Sequence, residues 1–314
     1  MNYILGAGPA GIAAAYCLEN FKVLDPNPLG QLRASFSPGP RLIQHNEYTE
    51  KFVKSLFGNE YEIKEASVGY EVDGEIFSKP PSAFKSEYSL LTRDGTNSES
   101  SHLSEGKNKI KHIVIPRYGE DTYTAVMKHA LAVIRDREQL VSGRVEDLDT
   151  KNKKIYLEVF NSTHTNDTVN YSNIINTLSL KLLKDMKTFN LIDFLDLETT
   201  NKSFYQCSNA ELTNVENYDY IYSISGLYTR RTHFSNYVVY ESKDPIGVKV
   251  GDTIEGNKVM RVVENLPIQI KSSIGLQSID NMILLGRYAE WNHKVKIDQV
   301  LPRAYWLKRH FQDA

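Results

Sequence analysis

The feature that most constrains this chain is Gly6-x-Gly8-x-x-Gly11, set between the apolar run Tyr3, Ile4, Leu5 and an alanine-rich stretch at residues 12–18. A short buried strand on one side and an apolar helix on the other make it a strand-to-helix turn, the context that a dinucleotide fingerprint requires. Gly6 permits the sharp turn, Gly8 lets the backbone approach a pyrophosphate with no Cβ in the way, and Gly11 lets helix and strand pack closely. Pro9 and Ala10 belong to the same candidate cofactor-binding turn, whose helix N-terminus offers free N–H groups and a partial positive charge to phosphates. A second strand at residues 21–24 ends on Asp25, followed by Pro26. Asp25 stands nineteen residues after Gly6, where a carboxylate can accept hydrogen bonds from both hydroxyls of an adenosine ribose. The fingerprint alone leaves NAD and FAD both open.

Further along, Tyr48, Phe52, Val53 and Leu56 recur at helical spacing over residues 46–57, with Asn46 as the expected N-cap. Residues 62–68, 70–72 and 75–77 are β-rich, and Asp73-Gly74 marks a two-residue hairpin. Residues 92–109 are polar without apolar periodicity and read as a loop. A helix is expected over 121–135 and strands over 139–147, 154–160, 173–177, 218–224 and 236–241. A short buried strand at 282–285 runs into Gly286 and Arg287, and a last helix over 298–310 turns Leu301, Ala304, Tyr305 and Leu307 inward.

At 314 residues the chain is long enough for one large or two interleaved domains. Its 37 basic and 39 acidic residues leave a net charge of −2, without the basic excess that drives sequence-independent binding to nucleic acid or anionic membranes. The two cysteines, Cys17 and Cys207, are far apart and in no metal-ligand spacing, which argues against a disulfide framework or a zinc site. No metal is expected. No apolar run is long enough to span a bilayer, and the fingerprint starts too early for a cleaved leader. A soluble, cytoplasmic protein with no membrane association is the expectation.

Taken in order along the chain, several blocks resemble one family. They are the fingerprint with Asp25; Leu29, Gly30, Gln31 and Arg33; Gly39, Pro40, Arg41 and Ile43; Asp73, Gly74 and Phe77; Ile115 and Pro116; Gly143 and Val145; Ile174 and Thr177; Tyr228 and Arg230; and Gly286, Arg287 and Tyr288 through Asp298, Gln299 and Val300. The chain resembles the flavoproteins that include UDP-galactopyranose mutase, protoporphyrinogen oxidase and the amine oxidases, with the mutase branch nearest. The resemblance implies FAD as the cofactor. It also implies an α/β fold, in which a Rossmann-type FAD-binding domain (1–60, 110–180 and 275–314) is interleaved with a smaller β-rich (α+β) substrate domain (61–109 and 181–274).

Carried over position by position, Gly6, Gly8, Pro9, Ala10, Gly11, Asp25 and Pro26 would hold the ADP half and Val145 would contact the adenine. Gln31, Arg33, Gly39, Pro40 and Arg41 would lie beside the pyrophosphate, ribityl chain or isoalloxazine. Gly286 and Arg287 would meet the pyrophosphate from a second turn, and Asp298 would reach the ribityl hydroxyls. Gln299 and Val300 would open a helix aimed at the flavin.

On the substrate side, the resemblance places Arg230 where the mutases grip a phosphate, with Arg231 adjacent. Trp291, Asn292 and His293 fall where the mutases carry tyrosines, and His293 or Tyr288 would manage a proton. Arg41 stands where many mutases have histidine. The stretch before Ile115 and Pro116 is too short for the helical domain that holds a nucleotide sugar. The expected activity is therefore FAD-dependent oxidation of a C–N or C–H bond in a small or conjugated, even nucleoside-linked, amine-type substrate. A mutase-like isomerase using the flavin without net redox change and a non-catalytic flavin-binding partner protein are the alternatives. Action on a modified base within nucleic acid is set against by the near-neutral charge.

Overall fold

The computed structural model describes residues 1–27, 42–82, 84, 86–88, 108–159, 165–186, 197–208, 218–224, 226–234, 236–270, 274–290 and 295–312. Strands β1 (Asn2–Leu5), β2 (Phe21–Asp25), β3 (Ile43–Gln44), β4 (Glu62–Val72), β5 (Glu75–Phe77) and β6 (Lys109–Val114) open the chain. They are followed by β7 (Leu140–Asp149), β8 (Lys154–Val159), β9 (Thr165–Asn170), β10 (Asn173–Asn176), β11 (Thr199–Ser208) and β12 (Tyr220–Ser223). Last come β13 (Arg230–His233), β14 (Tyr237–Ser242), β15 (Thr253–Ile254), β16 (Asn257–Ile270), β17 (Ser278–Ile279) and β18 (Met282–Leu284). The helices are α1 (Pro9–Cys17), α2 (Glu47–Phe57), α3 (Thr122–Asp136), α4 (Leu180–Lys184) and α5 (Ile297–Gln312).

Among the described residues the strands form two sheets. The first has the order β17-β18-β10-β1-β2-β7-β8-β9, with parallel pairing from β18 through β7 and an antiparallel meander β7-β8-β9 on the flank. Its parallel strands are covered on both faces, as such strands must be to keep apolar side chains from water. The alternation in β1 sorts the two cores. Ile4 faces a cluster built with α1, α2, α3 and α5, whereas Tyr3 and Leu5 face a second cluster with the meander and α4.

Helix α1 is apolar on all sides because it is enclosed. Residues 11–15 and Cys17 are all buried, and only residues 18–20 connect the helix to β2. That tight connection strands carbonyl groups at the helix end. The buried Gln139 side chain serves them, its Nε2 lying within 3.1 Å of the Ala15, Leu18 and Phe21 carbonyl oxygens. Sequence reading did not find this residue.

The second sheet runs β15-β16-β11-β14-β13-β12-β4-β6-β3, with β5 paired to β4. It is antiparallel apart from the parallel pair β12 and β4. The expected hairpin is present, with Asp73 and Gly74 both at positive φ (52° and 83°). Residues 62–72 form one strand rather than two. Gly69 stays within it because a Cβ there would come within 2.7 Å of Ile76 and 3.1 Å of the Tyr218 ring.

Helix α2 is capped as expected. Asn46 Oδ1 accepts the Tyr48 and Thr49 N–H groups, and Thr49 Oγ1 accepts the Asn46 N–H. Strands β11, β13 and β16 were not foreseen, and the polar segment at 92–109 lies outside the described residues up to 107. Among the described residues no helix is long and apolar enough to cross a membrane.

Candidate functional site

The site begins where β1 ends. Gly6 has φ of 92°, and a Cβ on it would come within 2.8 Å of Leu178. A Cβ on Gly11 would lie 1.9 Å from the Gly6 carbonyl oxygen, so strand end and helix approach too closely for any side chain there. Gly8 is the opposite case: it is exposed, and a Cβ on it would meet nothing within 4 Å. The turn therefore holds its shape through Gly6 and Gly11 and leaves open space over Gly8, at the uncapped N-terminus of α1.

Asp25 stands beside this opening. Its carboxylate accepts the Ala7 N–H and the Asn27 N–H, each at 2.6 Å. Pro26 is exposed next to it, and the buried Asn27 Oδ1 has no hydrogen-bond partner. Val145 lies on β7 three residues beyond Ser142, the register partner of Asp25, so it extends past the end of β2 on the same side.

A second turn meets the first. Gly286 follows β18 with φ of 108°, and a Cβ there would lie 2.7 Å from the Ala10 Cβ. The buried Glu290 holds this turn: it accepts the Gly286 N–H at 2.9 Å and pairs with Arg303 at 2.6 Å. Arg303 also donates to the Leu284 carbonyl at 2.9 Å. Burial pushes the Glu290 carboxyl up, and the Gly286 N–H and Arg303 pull against that. Glu290 and Arg303 escaped sequence reading because a charged pair in a turn and a helix has no local signature.

The start of α5 lies near. Asn46 Nδ2 donates to the Asp298 carbonyl at 2.9 Å, Gln299 Oε1 accepts the Lys296 N–H at 2.7 Å, and Val300 is buried. Burial raises the Asp298 carboxyl against the opposing pull of Lys296. Burial also lowers Lys296 to about 8, with Arg287 and Arg230 acting in the same sense and Asp298 against it. This electrostatic reach brings Arg230, from the second sheet, to the end of the first.

Arg230 itself is ion-paired. Its Nη2 meets Glu241, which also binds Lys202, so three adjacent strands β13, β14 and β11 share one buried carboxylate. Burial opposes the charge on Glu241, but Arg230 and Lys202 outweigh it and hold the carboxyl at about 2. The guanidinium lies 6.0 Å from the Tyr222 ring centroid, and its Nε is buried without a hydrogen-bond partner. Arg231 pairs with Glu255 at 2.8 Å.

Tyr288 is half-buried, packs against the second core cluster, and accepts the Leu180 N–H on its carbonyl at 3.0 Å. Gln31, Arg33, Gly39, Pro40, Arg41, Trp291, Asn292 and His293 lie outside the described residues. Among the described residues no group of three or more His, Cys, Asp or Glu side chains is arranged to hold a metal.

No protein-family model and no curated protein matches the chain. Solved structures do match it. A reduced UDP-galactopyranose mutase is 16% identical, with 99% of this chain and 95% of that one covered at a TM-score of 0.63. Putrescine oxidase bound to putrescine is 10% identical, with 100% and 99% covered at 0.60. Aklavinone-11 hydroxylase in complex with FAD and aklavinone is 10% identical, with 99% and 62% covered at 0.57. The two sheets and the paired glycine turns thus follow one architecture from end to end, and the chain has the fold of the FAD-dependent flavoprotein superfamily that includes UDP-galactopyranose mutase and putrescine oxidase.

Proposed function

We propose that this chain is an FAD-dependent oxidoreductase, with FAD lying between a Rossmann-type half and a β-rich substrate half. Its substrate in this reading is a small or conjugated amine whose C–N or C–H bond is oxidised. The observation that carries the cofactor reading is the pair of glycine turns, Gly6 to Gly11 and Gly286, which meet at Ala10 around the open face of Gly8. Asp25, set beside the unpartnered Asn27 Oδ1, suits ribose hydroxyls. The exposed N–H groups at the start of α1 suit a pyrophosphate. Arg287 follows the second turn and serves the same phosphates in this reading.

Bound FAD supplies the hydride acceptor. The chain's own part is to hold that cofactor, orient the substrate under the second sheet and move one proton. Tyr288 packs its ring into a core cluster, which favours His293 as the proton carrier. A mutase-like, non-redox use of the flavin is the second reading, supported by the likeness to the mutase over 99% of this chain.

The purified protein is expected to be yellow and to release FAD on acid treatment; a colourless protein that takes up no FAD ends this reading. Gly8→Val is expected to abolish FAD retention while leaving thermal stability unchanged, since its side chain enters empty space. In an anaerobic panel of amines, amino acids and nucleoside-linked amines, bleaching of the flavin identifies the substrate class. No bleaching, together with a UDP-dependent change in the reduced spectrum, would favour the mutase reading.

A further inference from the structure

Lys296 breaks the usual rules for its position. Its carbonyl accepts the Val300 N–H at 3.0 Å, so it caps the N-terminus of α5, where the helix dipole favours an anion or a short polar cap over a cation. It is half-buried, and its ammonium has no hydrogen-bond acceptor among the described residues. The charged groups that act on it come from three elements: Asp298 of α5, Arg287 of the turn after β18, and Arg230 of β13. Arg230 is in turn held by Glu241 with Lys202. Two arginines and one aspartate leave this corner with excess positive charge even before Lys296 is protonated. A site of that kind is completed by an anion.

The sheet order says which anion reaches it. A dinucleotide held at its ribose by Asp25 on β2, and at its phosphates by α1 after β1, runs across the strand ends in the order β2, β1, β10, β18. At about 4.8 Å per strand the last lies roughly 14 Å from the first. The far half of the ligand therefore arrives at Gly286, Arg287 and the first turn of α5. We propose that Lys296 is a positioning residue for charge at the redox end of the cofactor, taking up a proton when hydride transfer makes that end anionic. This inference rests on the FAD reading above.

The balance is simple. Hydride leaves the substrate carbon for the oxidised flavin, the flavin gains two electrons and one negative charge, and the neutral amine of Lys296 takes one proton from solvent. With Lys296 already protonated, below about 8, no extra proton is needed.

The test is the two-electron reduction potential of the FAD-loaded full-length protein, followed spectroscopically against reference dyes between pH 6.5 and about 9.5. In the wild type the potential is expected to fall twice as steeply with pH above about 8 as below it, because reduction then consumes two protons instead of one. Lys296→Met is expected to keep the shallow slope throughout. At pH 7 its reduction equilibrium should be at least about tenfold less favourable, or about 30 mV for a two-electron couple. Lys296→Arg, charged at every pH, is expected to keep the shallow slope with no such loss.

A wild-type slope that does not change, or a Lys296→Met potential equal to that of the wild type, overturns the proposal. The wild-type slope needs no variant, so the test survives poor folding of either substitution. Protein that binds no FAD overturns the cofactor reading and this inference together.

Discussion

Glu241→Gln is the substitution whose cost the structure sets most directly. The Glu241 side chain is 5% exposed and is shared by Lys202 and Arg230, themselves 13% and 23% exposed. Its carboxyl is held at about 2 against an ordinary 4.5. That difference of about 2.5, at about 1.36 kcal/mol per pH unit, corresponds to roughly 3 kcal/mol of stability. The value agrees with the roughly 3–5 kcal/mol lost when one member of a buried ion pair is removed and its partners are left uncompensated.

The sign follows from the depressed acid. The contribution is complete above the unfolded-state value near 4.5 and fades as pH falls toward about 2. Urea unfolding at pH 7, followed by circular dichroism, should show Glu241→Gln about 3 kcal/mol less stable than wild type. At one pH unit below 4.5 the gap should have narrowed by about 1.4 kcal/mol. Adding Lys202→Met and Arg230→Met to Glu241→Gln should recover much of the loss, since apolar groups of similar size often replace a buried ionic cluster without penalty. A Glu241→Gln protein within about 1 kcal/mol of wild type at pH 7 would refute the reasoning.

Gly11→Ala must displace either α1 or the end of β1, because its Cβ would lie 1.9 Å from the Gly6 carbonyl oxygen. A fall in melting temperature is expected, unlike for Gly8→Val, and equal stability of the two variants would contradict the geometry. Asn46→Ala removes both caps of α2 and the link to the Asp298 carbonyl; a loss of about 1–2 kcal/mol in urea unfolding is expected. Both cysteines are buried and their thiols are pushed up to about 12, chiefly by burial. Thiol reagents at pH 8 should label neither cysteine in the native protein and both after unfolding. Fast native labelling would contradict their placement.

Where structure depends on neighbours in the chain, the sequence determined it. The glycine turn follows from sterics over six residues, the hairpin from the positive φ that Asp73 and Gly74 tolerate, and the α2 cap from the reach of the Asn46 side chain over one turn. Resemblance carried the reading further, to the superfamily fold.

What only the tertiary structure decided are contacts between segments far apart in the chain. Arg230, Arg231, Thr232 and His233 lack the apolar alternation of a strand, yet they form β13 inside the second sheet, because Glu241 and Glu255 supply the charges that make their burial tolerable. Gly286 touches Ala10 from the other end of the chain, and Glu290 depends on Arg303 to hold that turn. Lys296 reads as an ordinary surface lysine until α5 packs beside the second turn. In each case the energy of a charged or unusual backbone position is set by partners that approach only on folding. Local pattern carries the turn that opens the site, and packing decides the charge that lies at its far end.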